Sequence, residues 1–323
     1  MFESLLASQP PARRMKLLAA LAAIAGLLLL VVFAELPHGI AFLHVLQKTA
    51  HPFTFGAVCW LILWILRGSR RRRDLRARDY LAACALAVAL GGLTEIAQII
   101  VHRDPALTDV LRDALGCATA LALHAALAAP SMRREVASVA AGLGLAAILA
   151  PLAWTMAAYV NRAVHFPALA MFESPLDLFF LTNNDHDPET VIVPKPWSKA
   201  AGETALDVPL GAGPWPGITI DESYPDWTGR STLALDITNP TAVPAVLTVR
   251  IQDRWHNQEF NDRFNREFTV PAATRAVVRF AVADIAAAPA GRPIDLAHMT
   301  RIGIFVSRKP APSEFLLHRI WLE

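Results

Sequence analysis

Cysteine is scarce in this chain and is confined to its first half. The three cysteines are Cys59, Cys84 and Cys117; each lies inside an apolar run, and no cysteine follows Cys117. A disulfide framework is therefore not expected. A domain without cysteine is compatible with an oxidising compartment, although the absence of cysteine does not by itself indicate one.

The sequence also lacks the short motifs that mark common reaction centres. It has no His-Glu-x-x-His, no glycine-rich phosphate loop and no Gly-x-Ser-x-Gly elbow. Carboxylates are numerous, but a glycosidase pair is defined by spatial separation and cannot be assigned from spacing. We therefore expect no metal and no cofactor. The sequence does not support enzyme activity, unless polar residues among the apolar helices form a catalytic site.

Net charge is small, at +2, and by itself argues neither for nor against a nucleic-acid partner. Hydrophobic residues make up 54% of the chain, and its mean hydropathy is +0.37, which is more apolar than a typical soluble protein. A length of 323 residues suggests about two domains.

The apolar residues are concentrated in five runs within residues 1–160. A bilayer core of about 30 Å needs roughly 20 apolar residues in a helix. The sequence therefore predicts a bundle of about five transmembrane helices, followed by a short connection over 161–172. The predicted helices are 17–36, 45–66, 80–101, 107–128 and 136–160.

Basic residues cluster beside alternate ends of these runs. The clusters are Arg13–Lys16, Arg67–Arg78 and Arg133–Arg134. Positive residues near membrane spans stay in the cytoplasm, so the arginines indicate topology and not a nucleic-acid site. We expect a bacterial inner-membrane protein with a cytoplasmic N-terminus and an extracytoplasmic, or periplasmic, C-terminal half.

The second half changes from long apolar runs to short alternating ones separated by proline-rich turns. This pattern predicts an all-β sandwich over residues 173–323, of the jelly-roll type. The alternating segments are 232–237, 245–251, 275–280, 301–306 and 315–322.

Polar residues interrupt the predicted helices at positions that the topology places in one leaflet, the outer one. Ionisable groups inside a membrane span are costly and suggest a function. Two interpretations remain open: the residues bind a lipid headgroup, or they pair with one another to hold the helices together. The set is Lys48, His51, Glu95, Gln98, Arg103, Asp109 and Asp113.

In order and spacing these residues, with Gly116, resemble the VanZ-like membrane domain over about residues 40–128. That family is named for a glycopeptide-antibiotic resistance protein. The resemblance implies a function linked to the cell envelope and no particular reaction. Asp113 is a departure, since the family more often has asparagine there.

A dense polar and aromatic segment follows the second predicted strand. Its aromatic rings could stack on a sugar, while its amides and charges could bind hydroxyl groups. The alternative is a polar loop pinned by buried aromatic residues. The glycan-binding candidates are Trp227, Asp253, Trp255, His256, Asn257, Asn261 and Arg263.

This half resembles a galactose-binding-like sandwich of the carbohydrate-binding-module type. The resemblance rests on Phe172-Glu173, Trp227-x-Gly229, Ile251-x-Asp253 and Leu317-x-x-Ile320-x-Leu322. It implies sugar binding and, in many such modules, a structural calcium held by an acid in the last strand. His318 occupies that place here.

Together these features favour a membrane protein of the cell envelope that recognises a glycan or lipid-linked saccharide. Membrane lipid, the saccharide and envelope-biosynthesis proteins are the expected partners. Two alternatives stay open: an enzyme or transporter that acts on a lipid-linked precursor, with Glu95 and Asp109 handling protons, and a scaffold without catalysis.

Overall fold

The computed structural model describes residues 10–37, 39–69, 75–100, 106–128, 131–183, 188–211, 213–306 and 313–323. The chain forms two compact units, Met1–Thr155 and Met156–Glu323. The expectation of about five helices followed by an all-β region is confirmed.

Among the residues described, five helices are each long and apolar enough to cross a membrane, and they lie in the first unit and at the start of the second. Their length follows from nearly unbroken apolar sequence with few interior breakers. They are α1 (Pro11–Phe33), α2 (Ala41–Ser69), α3 (Ala77–Ile100), α4 (Leu107–Ala128) and α5 (Ser131–His165).

Helices α2 and α4 approach each other closely because glycine lies at their crossing. A Cβ on Gly116 would lie 1.9 Å from the carbonyl oxygen of Pro52, and one on Gly56 would lie 3.0 Å from the carbonyl oxygen of Gly116. Next to this crossing, the Cys117 thiol donates to the Phe55 carbonyl at 3.4 Å. Backbone-to-backbone packing therefore fixes the register of the two helices.

The second unit contains two antiparallel sheets. One has the order β3-β4-β11-β6-β9, with β1 also paired to β11, and the other has the order β2-β5-β10-β7-β8. The strands are β1 (Ala168–Ala170), β2 (Leu181–Asn183), β3 (Glu189–Ile192), β4 (Thr204–Pro209), β5 (Gly217–Asp221), β6 (Thr232–Asn239), β7 (Ala245–Asp253), β8 (Phe264–Val270), β9 (Thr274–Ala281), β10 (Met299–Val306) and β11 (Glu314–Leu322). The unit also contains a 3-10 turn (Pro175–Leu178) and a short helix, α6 (Val282–Ala286).

The core lies between the sheets and is built from alternate residues of the strands. Leu233, Leu235 and Ile237 of β6 are fully buried, as are Leu247 and Val249 of β7. Burying a side chain of this size contributes about 1.5–3 kcal/mol, which explains why period-2 sequence folds as a sandwich here.

The last turns of α5 belong to the sandwich unit. Ala158 is in its hydrophobic core, and the Asn161 amide donates to the Asp177 carboxylate at 2.7 Å. Arg162 donates to the carbonyl of Glu222 and lies 4.6 Å from the Phe180 ring centroid. The helix thus ends at His165, and residue 168 already begins β1.

A covered ion network lies on the outer side of the β6 sheet. Arg275 binds Asp236 at 2.8 Å and Glu203 at 2.6 Å, and its side chain is only 8% exposed. The His318 imidazole is 2.7 Å from the Thr238 hydroxyl and 3.7 Å from Glu203. Each charge is compensated, so this face is a structural one.

Candidate functional sites

Four of the predicted polar residues meet between α2, α3 and α4. His51, Glu95 and Asp109 each present a ligand atom, and these atoms all lie within 4.8 Å of one another. Asp113, one turn beyond Asp109, places its carboxylate 3.5 Å from His51 Nδ1. This group is called the helix cluster below.

Asp113 fits between the helices because residue 91 of α3 is a glycine. A Cβ at Gly91 would lie 2.7 Å from the Asp113 carboxylate oxygen. Asp113 itself is fully buried, and His51 and Glu95 are each 5% exposed. His51, Glu95 and Asp113 are therefore almost wholly removed from solvent, whereas the Asp109 side chain is 13% exposed.

Part of the hydrogen-bonding capacity of the helix cluster is unused. Glu95 Oε2 accepts from the backbone N–H of Ala106 at 2.8 Å, and Asp109 pairs with Arg112. Within the described residues, Glu95 Oε1 accepts no hydrogen bond, and His51 Nδ1 and the Asp113 carboxylate form none beyond their mutual 3.5 Å contact. Buried polar atoms without partners are rare and call for a ligand or a proton.

The remaining residues of the predicted polar set, Gln98, Lys48 and Arg103, are not part of the helix cluster as described. Gln98 is buried and donates to the carbonyl of Val31 at 3.4 Å, which ties α3 to α1. Lys48 is half-buried one turn before His51, and it forms no ion pair with any described residue. Arg103 lies outside the described residues.

An apolar groove begins beside the helix cluster. It has a volume of about 790 Å³ and is lined by α2, α4 and α5, including Pro52, Gly56, Trp60, Leu123 and Gly142. Small residues leave the space open: a Cβ on Gly142 would meet nothing within 4 Å.

The dense segment after β7 is organised by a buried carboxylate. Asp253 is 2% exposed, receives two hydrogen bonds from Arg292 at 2.5 and 2.8 Å, and accepts the Asp295 N–H. Burial alone would raise the pKa of Asp253, but the bonds from Arg292 outweigh it and hold that pKa low. Asp253 therefore fixes the loop and is not available to a ligand.

Trp227 and His256 also have structural positions. Trp227 is fully buried and its indole N–H donates to the carbonyl of Tyr224 at 2.8 Å. The His256 side chain is 2% exposed and lies 2.9 Å from the Asp262 carbonyl. In contrast, Trp255 is 57% exposed, and Asn257 and Asn261 are exposed on the same loop.

Arg263, the last predicted glycan-binding candidate, directly precedes β8, and its charge is close enough to lower the pKa of Arg250. Register places Gln252 and Arg250 of β7 beside Arg301 and Gly303 of β10. In the neighbouring pair of strands, Arg250 of β7 lies opposite Asn265 of β8. Guanidinium and amide groups from three strands thus form one patch, called the arginine face below.

The arginine face carries an excess of positive charge. Arg301 pairs with Asp221 at 2.5 Å, whereas Arg263 Nε has no partner among the described residues. Burial lowers the pKa of Arg250, and the neighbouring charges of Arg263 and Arg301 lower it further. An anion bound between these three side chains would relieve that repulsion.

Two aromatic rings and a glycine determine the shape of the arginine face. The Arg250 guanidinium lies 4.6 Å from the Phe305 ring centroid, and Trp215, which is 55% exposed, packs edge-on against Phe305. Gly303 has no side chain at the centre of the sheet, and a Cβ there would meet nothing closer than 3.7 Å. A glycine inside a strand often permits close approach of a ligand.

Comparison of the chain with known proteins gives fold likenesses only. No family model matches the chain, and no curated protein sequence matches it. The VanZ-like resemblance therefore stays a prediction.

Among solved structures, similar chains include carbohydrate-binding modules with a β-sandwich fold. A family 11 module from Clostridium thermocellum, in complex with a β-1,3-1,4-mixed-linked tetrasaccharide, is 16% identical, with a TM-score of 0.35 over 48% of this chain and 93% of the module. A xylan-binding domain of family 22 is 9% identical, with a TM-score of 0.34 over 47% of this chain and 90% of that domain. An exo-β-agarase is 14% identical, with a TM-score of 0.37 over 48% of this chain and only 24% of the agarase. Since these TM-scores are below 0.5, the argument for a ligand rests on the side chains themselves.

Proposed function

We propose that this chain is an envelope membrane protein whose sandwich recognises a glycan or lipid-linked saccharide outside the cytoplasm. The observation that carries the proposal is the arginine face, where guanidinium, amide and aromatic groups surround Gly303. Planar polar groups bind sugar hydroxyls, and aromatic rings pack on the apolar face of a sugar ring.

The charge of the arginine face favours an acidic saccharide. Arg250 and Arg263 have no carboxylate partner among the described residues, while Arg301 shares Asp221. Arginine forms bidentate hydrogen bonds with carboxylates, so a uronic acid residue suits this face better than a neutral sugar.

Membrane insertion is supported by the side chains that the helices expose. Large apolar residues are exposed along every one of them, for example Leu29, Leu81, Leu111 and Leu143. Exposed apolar surface of this extent is expected to be covered by lipid. The basic clusters then favour a cytoplasmic N-terminus.

The apolar groove supports the lipid-linked form of the ligand. Its walls are apolar side chains and glycines of helices that are long enough to span a membrane. A lipid chain is the expected occupant of such a groove within a bilayer. The saccharide attached to that lipid would lie outside the bilayer, in the compartment proposed for the sandwich.

Calorimetry on the full-length protein in nanodiscs tests the glycan proposal. We expect binding of oligogalacturonate that weakens with added salt, and weaker binding of a neutral cello-oligosaccharide. Arg263→Gln should reduce affinity by about 10- to 100-fold, since a hydrogen bond to a charged group contributes about 1.5–3 kcal/mol.

The matched control is Arg279→Gln. Arg279 is an exposed arginine on the other sheet, where it pairs with Glu323 at 3.2 Å. This variant should bind as the unaltered protein does. Equal loss in both variants, or no binding of any acidic saccharide, would overturn the proposed role of the arginine face.

A further inference from the structure

The helix cluster has the composition and spacing of a metal site. It combines one imidazole with carboxylates from two other helices, and the atoms of His51, Glu95 and Asp109 lie within 4.8 Å of one another. Ligand atoms bound to one ion at about 2.0–2.4 Å are separated by no more than about 4.8 Å. One ion between the helices could therefore contact all three.

Burial makes a compensating cation necessary if the acids are ionised. Glu95 is 5% exposed and Asp113 is fully buried. An ionised carboxylate without a partner is very costly in a low-dielectric interior. Arg112, an arginine that contacts the helix cluster, is already paired with Asp109.

Charge counting indicates the valence of a compensating cation. Glu95, Asp109 and Asp113 carry three negative charges when ionised, and Arg112 supplies one positive charge within the described part of the cluster. With His51 neutral, as a metal ligand must be, two negative charges remain, which one divalent ion would neutralise. A single proton would neutralise only one of these charges and would leave the other uncompensated.

We propose that His51, Glu95 and Asp109 bind one divalent transition-metal ion, with Asp113 as a positioning residue behind His51. Ala106 already holds Glu95 Oε2, which leaves Oε1 for the ion. Asp113 lies 3.5 Å from His51 Nδ1, a placement that orients the imidazole ring for binding through its other nitrogen. This proposal departs from the sequence-based expectation of no metal and does not depend on glycan binding.

A nitrogen ligand together with two carboxylates favours zinc or manganese over magnesium or calcium. The full-length protein, purified without a histidine tag and treated with chelator, would be dialysed against each ion and analysed by mass spectrometry of the elements. We expect about one zinc or manganese ion per chain. Failure of the unaltered protein to retain either ion would overturn the proposal.

Substitutions locate the ion. Glu95→Gln and His51→Gln should each weaken binding more than tenfold, and Asp113→Asn should weaken it about 10- to 100-fold through the orientation of His51. Asp79→Asn is the control, because Asp79 is a buried carboxylate at the opposite end of α3. Unchanged affinity in Glu95→Gln and His51→Gln would overturn the assignment.

A cobalt-substituted sample gives a readout that does not depend on any variant. Cys59 and Cys117 are buried near each other and are the alternative ligands to consider. The proposed site has no sulfur, so the cobalt spectrum should lack the thiolate charge-transfer band. Its presence would place the ion on the cysteines and contradict the proposal.

Discussion

At the residue scale, the contact between Gly116 and Pro52 leaves no room for a side chain. We expect Gly116→Ala to lower the stability of the helical unit by about 1–3 kcal/mol or more, because its Cβ would force α2 and α4 apart. Thermal unfolding in detergent, followed by circular dichroism, measures this change.

Gly92→Ala is the matched control for that experiment. A Cβ on Gly92, which is also in a helix interior, meets nothing within 4 Å, and alanine has the higher helix propensity. This variant should melt at the same temperature as the unaltered protein or above it. A Gly116→Ala protein as stable as Gly92→Ala would contradict the close packing.

The covered ion network should make the sandwich sensitive to acid. Burial and the charge of Arg275 lower the pKa of His318 to about 4, from an ordinary value of 6.5. The unfolded chain therefore binds more protons than the folded one between these values. The stability conferred by neutral His318 is complete above pH 6.5 and falls as the pH drops to about 4.

Glu203 extends this loss to lower pH. The hydrogen bond from Arg275 lowers its pKa to about 2, from an ordinary value of 4.5, so its contribution declines below pH 4.5. Hydrogen exchange of β6 and β11 peptides at pH 7, 5 and 3 would follow both steps. In His318→Gln the decline between pH 6.5 and 4 should be absent, and the lower step should remain.

Some of these residues could be predicted as members of a site from sequence alone, and others could not. Helical periodicity puts Asp109 and Asp113 on one face of a helix, which is why the helix cluster could be anticipated. The arginine face could not, because Arg250, Arg263 and Arg301 become neighbours only through strand register. Trp227 was a glycan-binding candidate from its residue type, and only tertiary packing shows that it is buried.

At the scale of elements, the groove between α2, α4 and α5 offers a direct test of lipid recognition. We expect Gly142→Leu to fill the groove without a backbone clash and to reduce the lipid-linked saccharide that copurifies with the protein. Mass spectrometry of extracted lipids measures it.

Gly92→Leu serves as its control, since Gly92 is equally open but lies on α3, outside the described lining of the groove. Equal amounts of lipid in both variants would argue against an occupant in this groove. The elements themselves were readable from sequence, because long apolar runs and alternating runs have different periods. Their pairing order was not readable, because it depends on contacts between distant segments.

At the scale of the whole molecule, the proposed topology predicts where a label can reach. In a cysteine-free background, Glu259→Cys lies on an exposed loop of the sandwich and Glu135→Cys lies near the start of α5. An impermeant maleimide added to spheroplasts should label the first and not the second. The reverse pattern would place the sandwich in the cytoplasm.

The glycine at position 116 also has a consequence for sequences related to this one. Since the spacing of α2 and α4 depends on it, a relative that shares the histidine and the three acids of the helix cluster should keep glycine there as well. A relative with a larger residue at that position should also have lost the acids. Relatives that keep all five residues would be those that keep the arrangement of the helix cluster.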